Sequence, residues 1–207
     1  MKYFSLILII FLFSCEEKKD VLLPKSNVSV VKDVQDHSPI YIFFKTEGKD
    51  TIADVNRKNS IISTNWIFNI DKRLPLRLVI PEVIKLQEKK RAEKAHKNEK
   101  AENYYSYSDS IGKNLAFLPF TKVYYKIEKV KAEGLIIFFK NNETVEVNNQ
   151  VLKKEELLHY IASLDFAVKP KMQFCFDKNM SFGSYIQDKI LVQKLESFAA
   201  VMEEFIF

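Results

Sequence analysis

Lys171-Met-Gln-Phe-Cys-Phe-Asp177, continued by Lys178-Asn-Met-Ser181 and Phe182-Gly-Ser-Tyr185, is the stretch that decides the fold class. Residues 171–176 alternate and are bulky, as strand residues are. Ser181 belongs to the residue types that cap a helix N-terminus, so a helix should run from there to about Leu195. A strand that feeds an amphipathic helix through a short polar turn is a unit of a sheet with helices laid on it.

The same alternation extends outward on both sides. Leu135–Lys140 and Thr144–Asn148 read as a hairpin, and Lys153–Leu164 as a helix with Leu157, Leu158, Ile161 and Leu164 on one side. Ala199–Phe207 closes as a strand, or else the preceding helix continues through Met202-Glu-Glu204 to the end. The order over Leu135–Phe207 is therefore β-β-α-β-α-β, and right-handed crossovers would place both helices on one face of the sheet.

The earlier residues give a looser version of this order. Tyr41–Lys45 and Thr51–Asn56 form a hairpin around Thr46-Glu-Gly-Lys-Asp50, and Asn65–Ile70 is a third strand. A long helix is expected over about Leu76–Glu102, with Ile80, Val83, Ile84 and Gln87 on its inner side and Pro75 and Pro81 leaving its start open. Leu115–Ile127 is again strand. The fold class is α+β, with mixed β-sheets and helices on one face. Ile42-Phe-Phe-Lys45 recurs as Ile137-Phe-Phe-Lys140, so the halves read either as repeats or as a chance match in a chain rich in Phe and Lys.

The N-terminus carries an address. Lys2 precedes the apolar run Tyr3–Phe13, interrupted only by Ser5 and well short of the roughly 20 residues a spanning helix needs. It ends in Leu12-Phe-Ser-Cys15, which resembles a bacterial lipobox, although Phe13 departs from the residue usual at its position. The charged run Glu16-Glu-Lys-Lys-Asp20 follows, which speaks against a buried core element. The expected organisation is a lipoprotein signal peptide over residues 1–14, a lipid-anchored tether over 15–39, one α+β half over 40–130 and another over 131–207. Cys15 is the lipidation site, and the protein should sit in the cell envelope, held to a membrane by its lipid.

The formal net charge is +5, and cleavage before Cys15 removes only Lys2, leaving +4. Seventeen Phe and nine Tyr can fill a substantial core. Four glycines are too few for phosphate-cradling loops, dinucleotide folds or solenoids. With Cys15 acylated, Cys175 has no disulfide partner and reads as a buried thiol in an alternating strand. The mixed charges of Lys85–Glu102 read as a solvated helix face, with an anionic membrane or polymer as the sharper reading. Tyr104, Tyr105 and Tyr107 beside that run could stack bases, but an exported protein rarely meets nucleic acid.

No cofactor, metal or catalytic motif emerges. His37, His96 and His159 lack metal-ligand spacing, Gly183-Ser184 lacks the second glycine of a nucleophile elbow, and Glu155-Glu156 and Glu203-Glu204 are adjacent pairs. Asp177, Asn179, Ser181 and Asp188 imitate a calcium loop, but Phe182 stands where that loop needs glycine. The alternative to a binding module is an envelope enzyme whose site is assembled from scattered residues.

The second half also resembles the periplasmic domain of the ExbD/TolR family of biopolymer-transport proteins. The resemblance rests on Val145-Glu-Val-Asn148, Val151-Leu152 leading into Lys154-Glu-Glu-Leu-Leu158, Met172–Asp177, and Phe182-Gly-Ser-Tyr185. It implies a soluble binding or scaffolding module with an envelope protein partner. The family's transmembrane helix with its aspartate has no counterpart in the acid-free residues 3–14, so the proton-driven role is not implied.

Overall fold

The computed structural model describes residues 20–207 apart from 96, 129, 131, 132, 141 and 142, so residues 1–14, Cys15 and His96 lie outside the described residues. The described chain forms two six-stranded mixed sheets with helices between their strands. In the first sheet the hairpin β2 (His37–Glu47) and β3 (Asp50–Asn56) is antiparallel, and β4 (Asn65–Ile70) runs parallel to β2. Helix α1 (Leu76–Ala92) then crosses to β5 (Asn103–Asp109), parallel to β4. One edge of β5 is shared by β4 and the short β1 (Lys25–Ser26), and its other edge carries β6 (Asn114–Pro119).

The second sheet repeats the scheme. The antiparallel pair β8 (Leu135–Phe139) and β9 (Thr144–Val147) precedes β11 (Lys171–Phe176), parallel to β8. Helix α3 (Phe182–Gln193) crosses to β12 (Val201–Ile206), parallel to β11. Two strands are added at the edges, β7 (Tyr125–Lys126) beside β12 and β10 (Gln150–Lys153) beside β9, and α2 (Leu157–Ser163) returns the chain from β10 to β11.

Both halves thus share the order β3-β2-β4-β5 and β9-β8-β11-β12. Their registers align Ile42 with Phe139, since these face Ile70 and Phe176, the last strand residues before Asp71 and Asp177. The shared word at Ile42 and Ile137 is therefore two residues out of structural register. A slip of two keeps every side chain on its own face, so the repeated letters mark the right strands at the wrong positions.

The true repeat lies in the turns that follow β4 and β11, Asp71-Lys-Arg-Leu-Pro-Leu76 and Asp177-Lys-Asn-Met-Ser-Phe182. In each, the Asp carboxylate accepts from the backbone N–H two residues on, of Arg73 at 3.0 Å and of Asn179 at 2.7 Å. The turns also bond each other reciprocally. Leu76 N–H donates to Met180 O at 2.9 Å and Phe182 N–H to Leu74 O at 2.7 Å; Arg77 N–H donates to Lys178 O and Gly183 N–H to Lys72 O, at 2.8 and 2.9 Å. The first N–H groups of a helix have no partner within it. Here each helix start is capped by carbonyls of the other half, which explains why α1 needs no side-chain cap. Only α3 adds one, Ser181 Oγ accepting from Ser184 N–H at 3.2 Å.

Around that junction the core is continuous. Leu76, Val79, Ile80, Val83 and Leu86 of α1 and Tyr185, Ile186 and Ile190 of α3 bury their apolar stripes in one cluster with Trp66 and Phe68 of the first sheet and Phe174 and Phe176 of the second. Leu157 and Ile161 of α2 join the same cluster, so both helices of the second half pack on one face of its sheet. On the opposite face of the first sheet, Val34 closes over Ile67 and Phe117. Among the described residues, the corresponding face of the second sheet carries no helix. Its aromatic rings are shielded by long cations instead, with Lys126 over Phe205 and Lys140 over Phe138.

Several expectations are corrected. The helix expected to reach Glu102 ends at Ala92, because residues 93–102 have no apolar stripe to bury. Leu115–Ile127 is two strands in different sheets, β6 and β7, which moves the boundary between the sheets to before Tyr125. The final helix does not continue through Met202, and β12 takes its place. Above all, the tether expected over 15–39 is docked from Leu22 onward. Leu22 N–H donates to Asp71 Oδ2 and Leu22 O accepts from Lys72; Tyr107 OH donates to Val28 O, and Val31 exchanges both backbone bonds with Phe117. His37, assigned to the tether, opens β2.

Candidate functional site

A cleft of about 540 Å³ opens between the halves. Its walls are the Pro119–Tyr124 connection on one side and Gln193, Glu196, Ala199, Ala200 and Met202 on the other. Lys189 of α3 and Glu204 of β12 meet at its floor as an ion pair whose side chains are each only 6% exposed. Glu204 faces inward because it shares one face of β12 with Met202 and Ile206, and Lys189 because it follows Tyr185 and Ile186 at helical spacing.

Behind this pair runs a line of phenols. Tyr185 OH lies 3.1 Å from Glu204 Oε2, Tyr125 OH 3.1 Å from Tyr185 OH, and Tyr105 OH 2.7 Å from Tyr125 OH. A carboxylate only accepts and each phenol has one proton. The chain therefore points one way, from Tyr105 through Tyr125 and Tyr185 to Glu204. Burial pushes all three phenols above their ordinary range, the neighbouring Glu204 charge adding to the effect. They act as fixed donors, joining β5, β7, α3 and β12 across the two halves. The repeat places Tyr105 and Glu204 at equivalent positions, opposite Phe68 and Phe174.

A second cation is buried with no carboxylate on it. Lys90 Nζ donates to Thr64 O at 2.9 Å, Glu102 O at 3.2 Å and Asn103 Oδ1 at 3.0 Å, over the Trp66 ring. Burial lowers its pKa to about 8, Glu102 opposing the shift. All three ammonium protons are spoken for, so Lys90 braces the end of α1 to β4 and β5 and is not poised as a nucleophile.

Asp188 neighbours Lys189 but faces the other way, toward Lys154 in the short turn just before α2. Burial pushes its carboxyl up to about 6 against the pull of Lys154, and Oδ2 has no hydrogen-bond partner. A folded pKa above the ordinary 3.8 means the native state holds this proton more tightly, so this group's contribution to stability rises as pH falls from about 7 to about 5. Glu203 acts oppositely and lower down. Lys126 and Lys171 hold it near 2, and its stabilisation is lost only as pH falls below its ordinary 4.5. As pH falls across the upper window, the stability read by urea unfolding should therefore shift by about 1–2 kcal/mol in favour of the wild type over Asp188→Asn. A constant difference between the two proteins would show that Asp188 is not strained.

The residues singled out from sequence do not converge. Cys15 and His96 lie outside the described residues. Cys175 is fully buried, and burial pushes its thiol up to about 12. His159 is exposed on α2, and His37 lies 2.8 Å from Val34 O. In the calcium-like string, Asp177 closes its own turn while Asp188 meets Lys154, so the two do not share a centre. Lys189 goes unmarked in the sequence and Glu204 is weighed there only as one of an adjacent acidic pair, although each is a charge at a position whose periodicity is apolar. That conflict was the available signal. No protein-family profile, curated protein or solved structure gives a significant match to this chain.

Proposed function

We propose that the chain is a lipid-anchored protein of the bacterial cell envelope that works as a binding or scaffolding module. The observation that carries this reading is Leu12-Phe-Ser-Cys15 at the end of a short apolar run, with the docked chain beginning only seven residues later at Leu22. Such an arrangement suits a body kept close to a membrane. The edge strands β3 and β10, each paired on one side only, suit docking of an extended segment of an envelope partner. The order β9-β8-β11-β12 with helices on one face is compatible with an accessory of a biopolymer-transport system, in keeping with the ExbD/TolR resemblance.

Replacing Cys15 by Ser should leave the precursor uncleaved and free of acyl chains. Metabolic labelling with a palmitate analogue reads this directly: equal label on both proteins removes the anchor. A second reading, an envelope enzyme, is favoured by the Lys189–Glu204 pair at the floor of the cleft. Against it, the pair's two charges are spent on each other, and the adjoining phenols are held protonated.

A further inference from the structure

We propose that the end of the protein where its chain enters the fold is a membrane-docking face for anionic lipid headgroups. The proposal rests on the lipid-anchored reading and deepens it by naming which surface meets the bilayer.

Two observations carry it. The first is reach. Leu22 is fixed by Asp71 and Lys72, in the turn after β4, seven residues from Cys15. Seven extended residues span about 25 Å at most. An anchor on Cys15 therefore holds the turns at the two helix starts close to the headgroups.

The second is charge. Lys25, Lys72 and Arg73 line an open basin of about 480 Å³ with the hydroxyls of Ser181 and Ser184 at its wall. Across the reciprocal turn contact, Arg77 and Lys178 are exposed. Asp71 is buried against Arg73, and Asp177 accepts from its own turn. Glu16, Glu17 and Asp20 outnumber Lys18 and Lys19, so the chain between anchor and body supplies no net positive charge of its own. The attraction must come from the body. Leu22, 47% exposed at the point of entry, adds an apolar residue at headgroup depth.

The competing basic surface lies at the other end of α1, where Lys94, Lys97, Lys100 and Lys122 stand among Glu93, Glu99 and Glu102. Seventeen helical residues put it about 25 Å from the α1 start. A short tether favours the near end.

The chain from residue 16, which keeps every described residue, should co-sediment with phosphatidylcholine vesicles only when they contain phosphatidylglycerol, and less so at raised salt. A cation near such a surface is worth about fivefold in partitioning. Lys25→Gln/Lys72→Gln/Arg77→Gln/Lys178→Gln should therefore lose binding by two orders of magnitude or more. Lys94→Gln/Lys97→Gln/Lys100→Gln/Lys122→Gln should lose less than tenfold. Acylation footprinting of bound wild type should protect Lys25, Lys72 and Lys178 and leave Lys94 and Lys97 reactive. Equal binding to both vesicle types, a larger loss in the second variant, or protection of the far lysines would each overturn the docking face. Because these vesicles bind an unlipidated chain, equal palmitate label on wild type and Cys15→Ser in cells would sink the anchor without touching this result.

Discussion

Glu204→Ala should destabilise the protein by about 3–5 kcal/mol, the usual cost of removing one partner from a buried ion pair. The physical reason is what remains. Lys189 would keep its charge in a site where its side chain is 6% exposed, and Tyr185 would lose the acceptor at the end of the phenol chain. Pairing Glu204→Leu with Lys189→Met should restore the part of the loss due to the unpaired Lys189 charge, because two apolar side chains of similar volume suit a site walled by Met202 and Phe120, while Tyr185 still lacks its acceptor. Urea unfolding of the wild type, Glu204→Leu, Lys189→Met and the pair closes a double-mutant cycle. If Glu204→Ala cost less than about 1 kcal/mol, Lys189 would have to reach water through the cleft, and the pair would be a ligand-facing group more than a brace.

The second half was legible in the sequence because its elements are short and their periods unambiguous. The alternation of 171–176 and the stripe Leu157, Leu158, Ile161 and Leu164 lead to β11 and α2 within a few residues. β10 was overlooked although its turn is written plainly. Asn148 and Asn149 have φ of 46° and 72°, and Val147 faces Gln150, which is the two-residue hairpin that Asn favours. The docked chain from Leu22 was illegible for a different reason. Its bonds run to partners far along the chain, Asp71, Tyr107 and Phe117, so no local pattern announces them.

The repeat was legible in the wrong letters. Identical residues drew attention to Ile42 and Ile137, where a two-residue slip costs nothing in side-chain direction. The turn after β4 and β11 preserves chemistry instead of letters: an Asp that bonds the backbone two residues on, an apolar fourth residue, and a helix start at the sixth. The reciprocal bonds between the turns then fix how the halves meet. This is the geometry of an isologous contact, here made within one chain. The cleft is a consequence of it, because the same junction brings Tyr105 of one half toward Tyr185 and Glu204 of the other. Lys189 and Glu204 were not legible as partners, because periodicity marks apolar residues and the informative event here is a charge in their place.

Gly134→Ala is the largest effect expected from a single added methyl group, about 3 kcal/mol or more, and Gly48→Ala is its control. Both glycines have positive φ, +78° and +60°, a region that costs an L-residue roughly 1–2 kcal/mol. At Gly48, in the hairpin between β2 and β3, a Cβ would meet nothing within 4 Å, so only that conformational cost applies. At Gly134 the Cβ would lie 2.4 Å from the backbone oxygen of Lys171, an approach that real Cβ atoms essentially never make. The oxygen cannot swing aside, because Lys171 opens β11, the central strand between β8 and β12. Relief requires β8 to move off β11 at its first pair, Leu135 with Met172, which is the edge of the shared core. Chemical denaturation of the two variants should separate them by about 2 kcal/mol, the contribution of the clash alone. Equal losses would mean that the start of β8 yields at no cost, and that the close approach of Gly134 to Lys171 does not hold the first pair of the second sheet.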